Sequence, residues 1–367
     1  MSSIVVDPWP SGDPDLLAPS AEHAELRAIV RSLLERAGGV DDVRSVMDSA
    51  AGHSTELWTR LHRELEISSM LVPEALGGAG FGLADVVVVL EEAGAVLRPE
   101  PLLWSSVLAV TALTAAAQGD VVDETLRGLA AGELVGTVAT ATDGLVVEDG
   151  RVTGTLRRVP VAGAADLVVL GDERGVWMLR TAADGVELQA LEVLDVTRRQ
   201  ADVVLSGAAV TPLVGAAGAA DVWARLGRAA TIGAAAEHVG MMDRLLADTV
   251  AYVSTREQFG RPIGSFQAVK HRLADVLVDL ERARSAVAYA AALHDADPQE
   301  SLAAEVAGAV ATDAVVRTVH EAVQLHGGIG FTWEHPAHLY VKRALGDEGL
   351  LGTAGQHRQR IADLVGI

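Results

Sequence analysis

The spacing of apolar residues changes twice along the chain, and these changes constrain the fold more than any other feature. Apolar residues recur at helical spacings over 21–132, at close to every second position over 133–213, and at helical spacings again over 214–367. We therefore predict an α+β protein with an N-terminal helical domain, a small antiparallel β domain in the middle and a C-terminal four-helix bundle. Residues 1–20 contain four prolines, which is typical of a tail.

Several of the predicted helices have recognisable limits. The pattern that begins at Ala21 stops at Gly38 and Gly39, because glycine readily ends a helix. Two further helical stretches are predicted near 83–96 and 105–132. An apolar stripe at helical spacing runs from Phe266 to Ala291 and skips one step at Ala283. Another long helix is predicted from Pro298 to Gln324 and stops at Gly327–Gly328.

Charge and cysteine content argue against several classes of function. The formal charge is −21, from 29 basic and 50 acidic residues, and such a chain repels phosphate backbones and anionic lipids. Nucleic-acid binding is therefore not expected. The lack of cysteine excludes disulfides and thiolate chemistry. The N-terminus does not read as a secretory signal, and the apolar runs are shorter than the roughly 20 residues of a membrane span. We expect a cytoplasmic protein.

The familiar motifs of dinucleotide-binding, P-loop, serine-hydrolase and zinc-protease sites do not occur in the sequence. His320 with His326, and His335 with His338, are the candidate metal pairs. Neither has the four-residue helical spacing and the carboxylate of such a site. Solvated or core histidines are the alternative, and we expect no metal.

Two segments between long helices carry the candidate site. In TREQFGRPIGSFQAVKH (255–271), Arg256 lies in a Gly- and Pro-containing loop before a helix predicted to be capped by serine. A cation beside helix-start N–H groups suits a pyrophosphate, and a surface arginine in a turn is the alternative. In AVQLHGGIGFTWEH (322–335), the glycines either end a helix or let a ligand approach the backbone.

In this order the two segments resemble the acyl-CoA dehydrogenase family. REQFGRPIGSFQ matches its R-x-x-F-G-x-x-I/L-x-x-F/H-Q loop, and QLHGGIGF matches its Q-x-x-G-G-x-G-F/Y turn. The α–β–α order and PEALGGAGFG (73–82) extend the resemblance over nearly the whole chain. The resemblance implies a flavoprotein fold that oligomerises through its C-terminal helices. It also implies that a base removes the α proton of an acyl-CoA, FAD accepts the β hydride, and an electron-transfer flavoprotein reoxidises the FAD.

The chain departs from the family where a catalytic base is needed. The family's glutamate in Y-E-G-T aligns with Leu351, and its alternative site, on the helix before the R-x-x-F-G loop, aligns with Ala230. Neither side chain can accept a proton. The acidic candidates for a displaced base are Glu237, Asp347 and Glu348, with solvated helix charges as the alternative interpretation.

The segments that hold the flavin ring in the family also differ here. Its T-E-x-x-x-G-S-D and W-I-T-N-like stretches are replaced by GTVATATDGLVVEDG and LRRVPVAGAADLVV, and a flavin-contacting glutamine aligns with Gly355 rather than Gln356. The retained residues are those that reach a neighbouring subunit's FAD in the family. The resemblance assigns Arg256 to the pyrophosphate and Phe259 to the adenosine, with Gln258, Gln267, Gln324, Gly327 and Gly328 completing the ADP side of the site.

This division resembles the non-catalytic subunit of actinobacterial α2β2 acyl-CoA dehydrogenases, which act on CoA thioesters of steroid side chains. The implied partners are a homologous subunit carrying the base, an electron-transfer flavoprotein and an acyl-CoA substrate. Two alternatives remain open: a complete homomeric enzyme with a relocated carboxylate, and a flavin-free pseudoenzyme or assembly scaffold.

Overall fold

A computed structural model describes residues 20–116, 119–297 and 299–367. Helices occupy both ends of the described chain and a β sheet occupies the middle, which confirms the predicted fold class. The helices are α1 (Ala21–Arg36), α2 (Gly39–Met47), α3 (Thr55–Leu65), α4 (Leu83–Ala95), α5 (Val110–Thr114), α6 (Asp120–Ala130), α7 (Ala216–Thr255), α8 (Gln267–Ala296), α9 (Leu302–His326), α10 (Ala337–Leu351) and α11 (Ala354–Val365). The strands are β1 (Gly136–Val138), β2 (Thr142–Glu148), β3 (Arg151–Pro160), β4 (Leu167–Asp172), β5 (Gly175–Arg180), β6 (Val186–Ala190), β7 (Gln200–Gly215), β8 (Glu257–Gln258) and β9 (Arg261–Pro262).

The chain divides into two compact units that do not follow sequence order. The helical unit contains the described residues up to Asp41, Leu83–Arg98 and Thr231–Ile367. The sheet unit contains Asp42–Gly82 and Pro99–Ala230. The long helix α7 contributes its first part to the sheet unit and the rest to the helical unit.

The sheet unit is built around one seven-stranded sheet. Its strands run in the order β1-β4-β5-β7-β3-β2, with β6 also paired to β7. Every pairing is antiparallel except that of β1 with β4, which is parallel. The long strand β7 joins the two halves, because its end pairs with β5 and its start pairs with β3 and β6. Small and branched apolar residues form its core, among them Val152, Leu156, Val168, Leu179 and Val203.

In the helical unit, α8 packs on α9, and α9 also packs on α10 and α11. The apolar stripe of α8 is buried from Val276 onwards, and Ala283 fills the skipped step. Asp295 near the end of α8 accepts hydrogen bonds from the backbone N–H groups of Leu83 and Ala84, at 2.7 and 2.9 Å. These bonds satisfy donors that the first turn of α4 cannot pair internally.

Helices α4 and α7 cross with their backbones almost in contact. A Cβ added at Gly94 would lie 2.3 Å from the carbonyl oxygen of Glu237, and one added at Gly240 would lie 1.7 Å from that of Glu91. Only glycine therefore fits at these two positions. The hydroxyl of Tyr340 in α10 donates to the carbonyl of Ala95 at 2.6 Å and holds α10 at the same place.

Two local predictions are corrected by the structure, and two others fall on residues that it does not describe. The helical stretch predicted for 105–132 is a π-helix (Leu102–Ala109) followed by the separate helices α5 and α6, since apolar composition does not distinguish these helix types. The predicted serine cap of α8 is wrong, because Phe266 occupies the cap position and Ser265 belongs to the preceding 3₁₀ turn. The tail predicted for 1–20 lies outside the described residues except for Ser20, which caps α1. The predicted start at Pro298 also lies outside them, and α9 begins at Leu302.

Among the described residues, no helix has the length and apolar character that crossing a bilayer requires. Within those same ranges, no three His, Asp or Glu side chains gather as a metal site would need.

Candidate functional site

The R-x-x-F-G segment folds as a very short β-hairpin between α7 and α8. Strands β8 and β9 pair through Gln258 with Arg261 and through Glu257 with Pro262. The two residues between them, Phe259 and Gly260, have φ angles of +55° and +75°. Positive φ at both central residues is the requirement of a type I′ hairpin turn. Glycine meets this requirement without strain, whereas phenylalanine does not.

Phe259 is therefore held in a strained backbone conformation at the tip of the hairpin, and its side chain is 92% exposed. Its ring makes a T-shaped contact with the ring of Phe266, at 6.1 Å between centroids. The guanidinium of Arg261 covers the Phe266 ring at 4.1 Å. An aromatic ring that is almost fully exposed on a strained turn contributes little to the folding of this chain, which indicates a role toward another molecule.

Arg256 lies at the base of the hairpin. Its backbone N–H donates to the carbonyl of Tyr252 at 2.9 Å, and its carbonyl accepts from the N–H of Ile263 at 2.8 Å. The backbone of Arg256 is thus fixed while its side chain is exposed. Gln258 is also exposed, and its side-chain amide donates to the carbonyl of Glu257 at 2.8 Å. Gln267 is exposed at the first position of α8.

Local charge at the hairpin is opposite to that of the whole chain. Residues 256–270 contain three basic residues, Arg256, Arg261 and Lys270, and one carboxylate, Glu257, in a chain of net charge −21. Such a local positive excess attracts an anionic group such as a pyrophosphate.

The Q-x-x-G-G segment forms the end of α9 and a 3₁₀ turn over Gly327–Phe331. Gly327 has φ +64° and ψ −141°, a conformation that is essentially restricted to glycine. A Cβ added at Gly327 or Gly328 would meet no other atom within 4 Å, so their backbone is open to an approaching ligand. Gln324 is exposed one turn before them.

The structure brings the two motifs together through a residue that the sequence analysis missed. Tyr252, one turn before Arg256, stacks on the ring of His326, the residue before Gly327, with 4.5 Å between centroids and 25° between planes. The tyrosine hydroxyl also donates to the His326 carbonyl at 3.3 Å. The available sequence signals were the one-turn spacing of Tyr252 from Arg256 and the rarity of tyrosine, of which the chain has three.

All seven predicted site residues are exposed. None of the chain's four phenylalanines, all of them described, is buried, and Phe331 beyond the glycine turn is 80% exposed. Phenylalanine is normally among the more buried residues. The surface therefore combines a guanidinium, exposed aromatic rings and open glycine backbone. A guanidinium suits the pyrophosphate of the ADP half of a dinucleotide, and an aromatic ring suits its adenine.

The two positions of the family's base hold no proton acceptor. Leu351 is half-buried at the end of α10, and Ala230 is half-buried in α7. Gln356 is already used locally, because its side chain and that of Thr353 form a capping box that starts α11. Its amide oxygen accepts from the Thr353 backbone N–H at 2.8 Å.

Two of the three acidic candidates for a displaced base lie in a buried charge cluster of the helical unit. Asp347 is 1% exposed and lies 3.2 Å from Nε2 of His238. Glu237 is 4% exposed and lies 4.0 Å from the guanidinium of Arg343. Glu348 is half-exposed. Buried carboxylates that lie beside buried basic side chains are typical of structural polar clusters, in which the partners offset each other's loss of hydration.

Comparison with known proteins identifies the family. The N-terminal domain model of acyl-CoA dehydrogenases matches residues 20–133 and the C-terminal domain model matches residues 224–366. Acyl-CoA dehydrogenase IpdE2 of Mycolicibacterium smegmatis is 38% identical over 344 residues, which cover 93% of this chain and 98% of the relative.

Solved structures agree with the sequence relatives. The ChsE4–ChsE5 complex from Mycobacterium tuberculosis matches with a TM-score of 0.86 and 30% identity, over 95% of this chain and 98% of that one. A variant of the Tcur3481–Tcur3483 steroid acyl-CoA dehydrogenase matches with a TM-score of 0.86 and 27% identity, over 94% and 98% of the two chains. The chain belongs to the acyl-CoA dehydrogenase family, whose members are flavoprotein oxidoreductases.

Proposed function

We propose that this chain is the non-catalytic subunit of a heteromeric, FAD-dependent acyl-CoA dehydrogenase. In this role it holds the ADP side of a flavin whose reactive ring lies in a homologous partner. The observation that carries the proposal is that all seven proposed site residues are exposed on the hairpin, the start of α8 and the glycine turn, while both base positions hold aliphatic side chains.

FAD, when bound, supplies the hydride acceptor for α,β-dehydrogenation. The Arg256 guanidinium would neutralise the pyrophosphate, and the exposed Phe259 ring would pack on the adenosine. The open backbone at Gly327 and Gly328 would allow the nucleotide to approach α9 closely, with Gln258, Gln267 and Gln324 as polar neighbours. These residues bind and orient the cofactor, and none of them moves a proton.

Proton removal from the substrate then belongs to the partner. A base must lie within hydrogen-bond reach of the proton that it abstracts and must be able to accept it. Leu351 and Ala230 fail the second condition, and the burial of Glu237 and Asp347 beside Arg343 and His238 favours a structural role for those carboxylates over a relocated base.

The substrate that we propose is a bulky, steroid-derived acyl-CoA, with an electron-transfer flavoprotein as the electron acceptor. Support for the substrate comes from the similarity to a steroid acyl-CoA dehydrogenase, and support for a heteromer comes from the similarity to the ChsE4–ChsE5 complex. Two unlike subunits need not each form a complete pocket, which leaves room for a large acyl group.

The test is flavin retention in the complex formed by co-expression with the product of any adjacent dehydrogenase-like gene. Arg256→Ala is expected to weaken FAD binding by about tenfold or more, because a charge-assisted hydrogen bond contributes about 1.5–3 kcal/mol. The visible spectrum after gel filtration gives the flavin-to-protein ratio. The matched control is Arg63→Ala in α3, which removes an exposed arginine far from both motifs in sequence and should leave the ratio unchanged. An unchanged ratio in Arg256→Ala would reject the proposed half-site.

A further inference from the structure

We infer that the Tyr252–His326 ring stack is a positioning element that fixes the hairpin against the glycine turn, so that the two motifs form one binding surface. This inference rests on the proposed function, since it gives the stack a purpose only if both motifs contact the same nucleotide. Neither residue is among the groups assigned to the cofactor above.

The geometry of the stack connects the motifs directly. Tyr252 lies in the last turn of α7, and its carbonyl accepts the backbone N–H of Arg256 at 2.9 Å. Its ring lies on His326, and its hydroxyl donates to the His326 carbonyl. The peptide between His326 and Gly327 is therefore held by the same residue that holds the backbone of Arg256.

The His326 ring is itself fixed from several sides. It is 4% exposed, and its Nδ1 lies 2.7 Å from the carbonyl oxygen of Ala322, one turn earlier in α9. The ring of His335 contacts it as well, at 4.3 Å between centroids. Because the His326 ring is fixed on α9, its contact with Tyr252 holds Tyr252, and with it the base of the hairpin, in a defined position relative to α9.

The hairpin needs such support because its own structure is weak. Its strands have two residues each, and isolated two-stranded hairpins are marginally stable in water. At the other side of the stack, Gly327 and Gly328 have no side chains to hold them in place. Binding groups that move by about an ångström around their binding positions lose much of their effect, because the entropy lost on ordering them opposes binding.

A distance measurement on the full-length chain tests the geometric part. Since the chain contains no cysteine, Glu257→Cys and Ile329→Cys create unique spin-label sites on the hairpin and on the glycine turn. Both side chains are exposed. We expect a narrow label–label distance distribution that broadens with Tyr252→Ala or His326→Ala and stays narrow with Tyr252→Phe and His326→Phe, which keep the rings.

The matched control is Trp333→Ala, which removes another stacked pair. Trp333 stacks on His338 at 4.6 Å, but this pair lies wholly after the glycine turn and does not connect it to the hairpin. The distribution should stay narrow in this variant. If Tyr252→Ala also stays narrow, the stack does not position the hairpin and the inference is wrong.

Flavin release from the partner complex tests the functional part. Dissociation of FAD should be on the order of tenfold faster in Tyr252→Ala and His326→Ala, and within twofold of wild type in the two Phe variants. Thermal unfolding identifies any variant that fails to fold. If Tyr252→Ala fails to fold, Tyr252→Leu replaces it. If Arg256→Ala releases flavin and the ring variants do not, the inference fails and the proposed function stands. If Arg256→Ala retains flavin, the proposed function fails and the inference falls with it.

Discussion

Phe259 is the residue at which folding and function are most clearly opposed. A left-handed backbone costs an L-residue with a Cβ roughly 1–2 kcal/mol, and the side chain that causes this cost is 92% exposed. Gly260 occupies the same turn without penalty. A contact between this ring and a group outside the chain, such as the proposed adenosine contact, explains why a phenylalanine occupies this position.

Phe259→Gly should therefore stabilise the chain while weakening its binding. Because glycine adopts φ +55° freely, the free energy of unfolding should rise by about 1 kcal/mol in denaturant titrations. Flavin retention in the partner complex should fall, since the aromatic contact is lost. The opposite change, Gly260→Ala at φ +75°, should destabilise the chain. A less stable Phe259→Gly variant would contradict the strain argument.

The buried carboxylate of Glu91 lies 2.6 Å from the guanidinium of Arg27. Burial raises the pKa of Glu91 above its usual value, and Arg27 offsets only part of this effect. A raised pKa in the folded state means that stability is present at low pH and is lost as the pH rises through that pKa. Glu91→Gln should therefore become more stable relative to wild type as the pH increases from 4 to 8.

Denaturant titrations of the two proteins across this pH range provide the measurement. Glu64→Gln serves as a control of opposite sign, because its hydrogen bond with Arg60 lowers the pKa of the exposed Glu64 carboxyl. That variant should lose stability relative to wild type as the pH rises. A stability difference between wild type and Glu91→Gln that does not change with pH would refute the prediction.

At the scale of elements, the crossing of α4 and α7 depends on two glycines. Gly240→Ala would place a Cβ 1.7 Å from the Glu91 carbonyl oxygen, so the helices must separate. We expect a loss of about 3 kcal/mol in the free energy of unfolding. Gly227→Ala is a matched control in the same helix, since a Cβ there meets no atom within 4 Å. It should stabilise the chain by about 0.5–1 kcal/mol. Equal effects of the two substitutions would show that the close crossing does not limit stability.

The order of the helices and strands and the residues of the two motifs could be predicted from the sequence, because they depend on local patterns. The stop of α1 before Gly38, the buried stripe of α8 and the retained R-x-x-F-G residues all follow from spacing along the chain. The π-helix at Leu102–Ala109 did not, because the same apolar residues suit more than one helical hydrogen-bond pattern. The Tyr252–His326 stack was equally hidden, since it joins residues 74 positions apart.

For the molecule as a whole, the candidate site is a surface that does not suit a self-sufficient protein. Most of the apolar side chains of the sheet core and many of those on α8 and α9 are buried, as folding requires. At the hairpin and glycine turn, aromatic rings and a basic surface are exposed in an acidic chain. This contrast is expected of a surface that is completed by another subunit and a shared cofactor.

A shared cofactor fixes the stoichiometry of flavin. If this chain contributes only the ADP side and its partner contributes the ring side, two polypeptides are needed for each FAD. The chain expressed alone should be colourless, and the purified complex should contain one flavin per pair of unlike subunits. Absorbance of released FAD, divided by the concentration of each subunit, gives this ratio. One flavin per chain in the protein expressed alone would instead support a homomeric enzyme, and a colourless complex would support a flavin-free scaffold. The proposed division of the site is consistent with neither result.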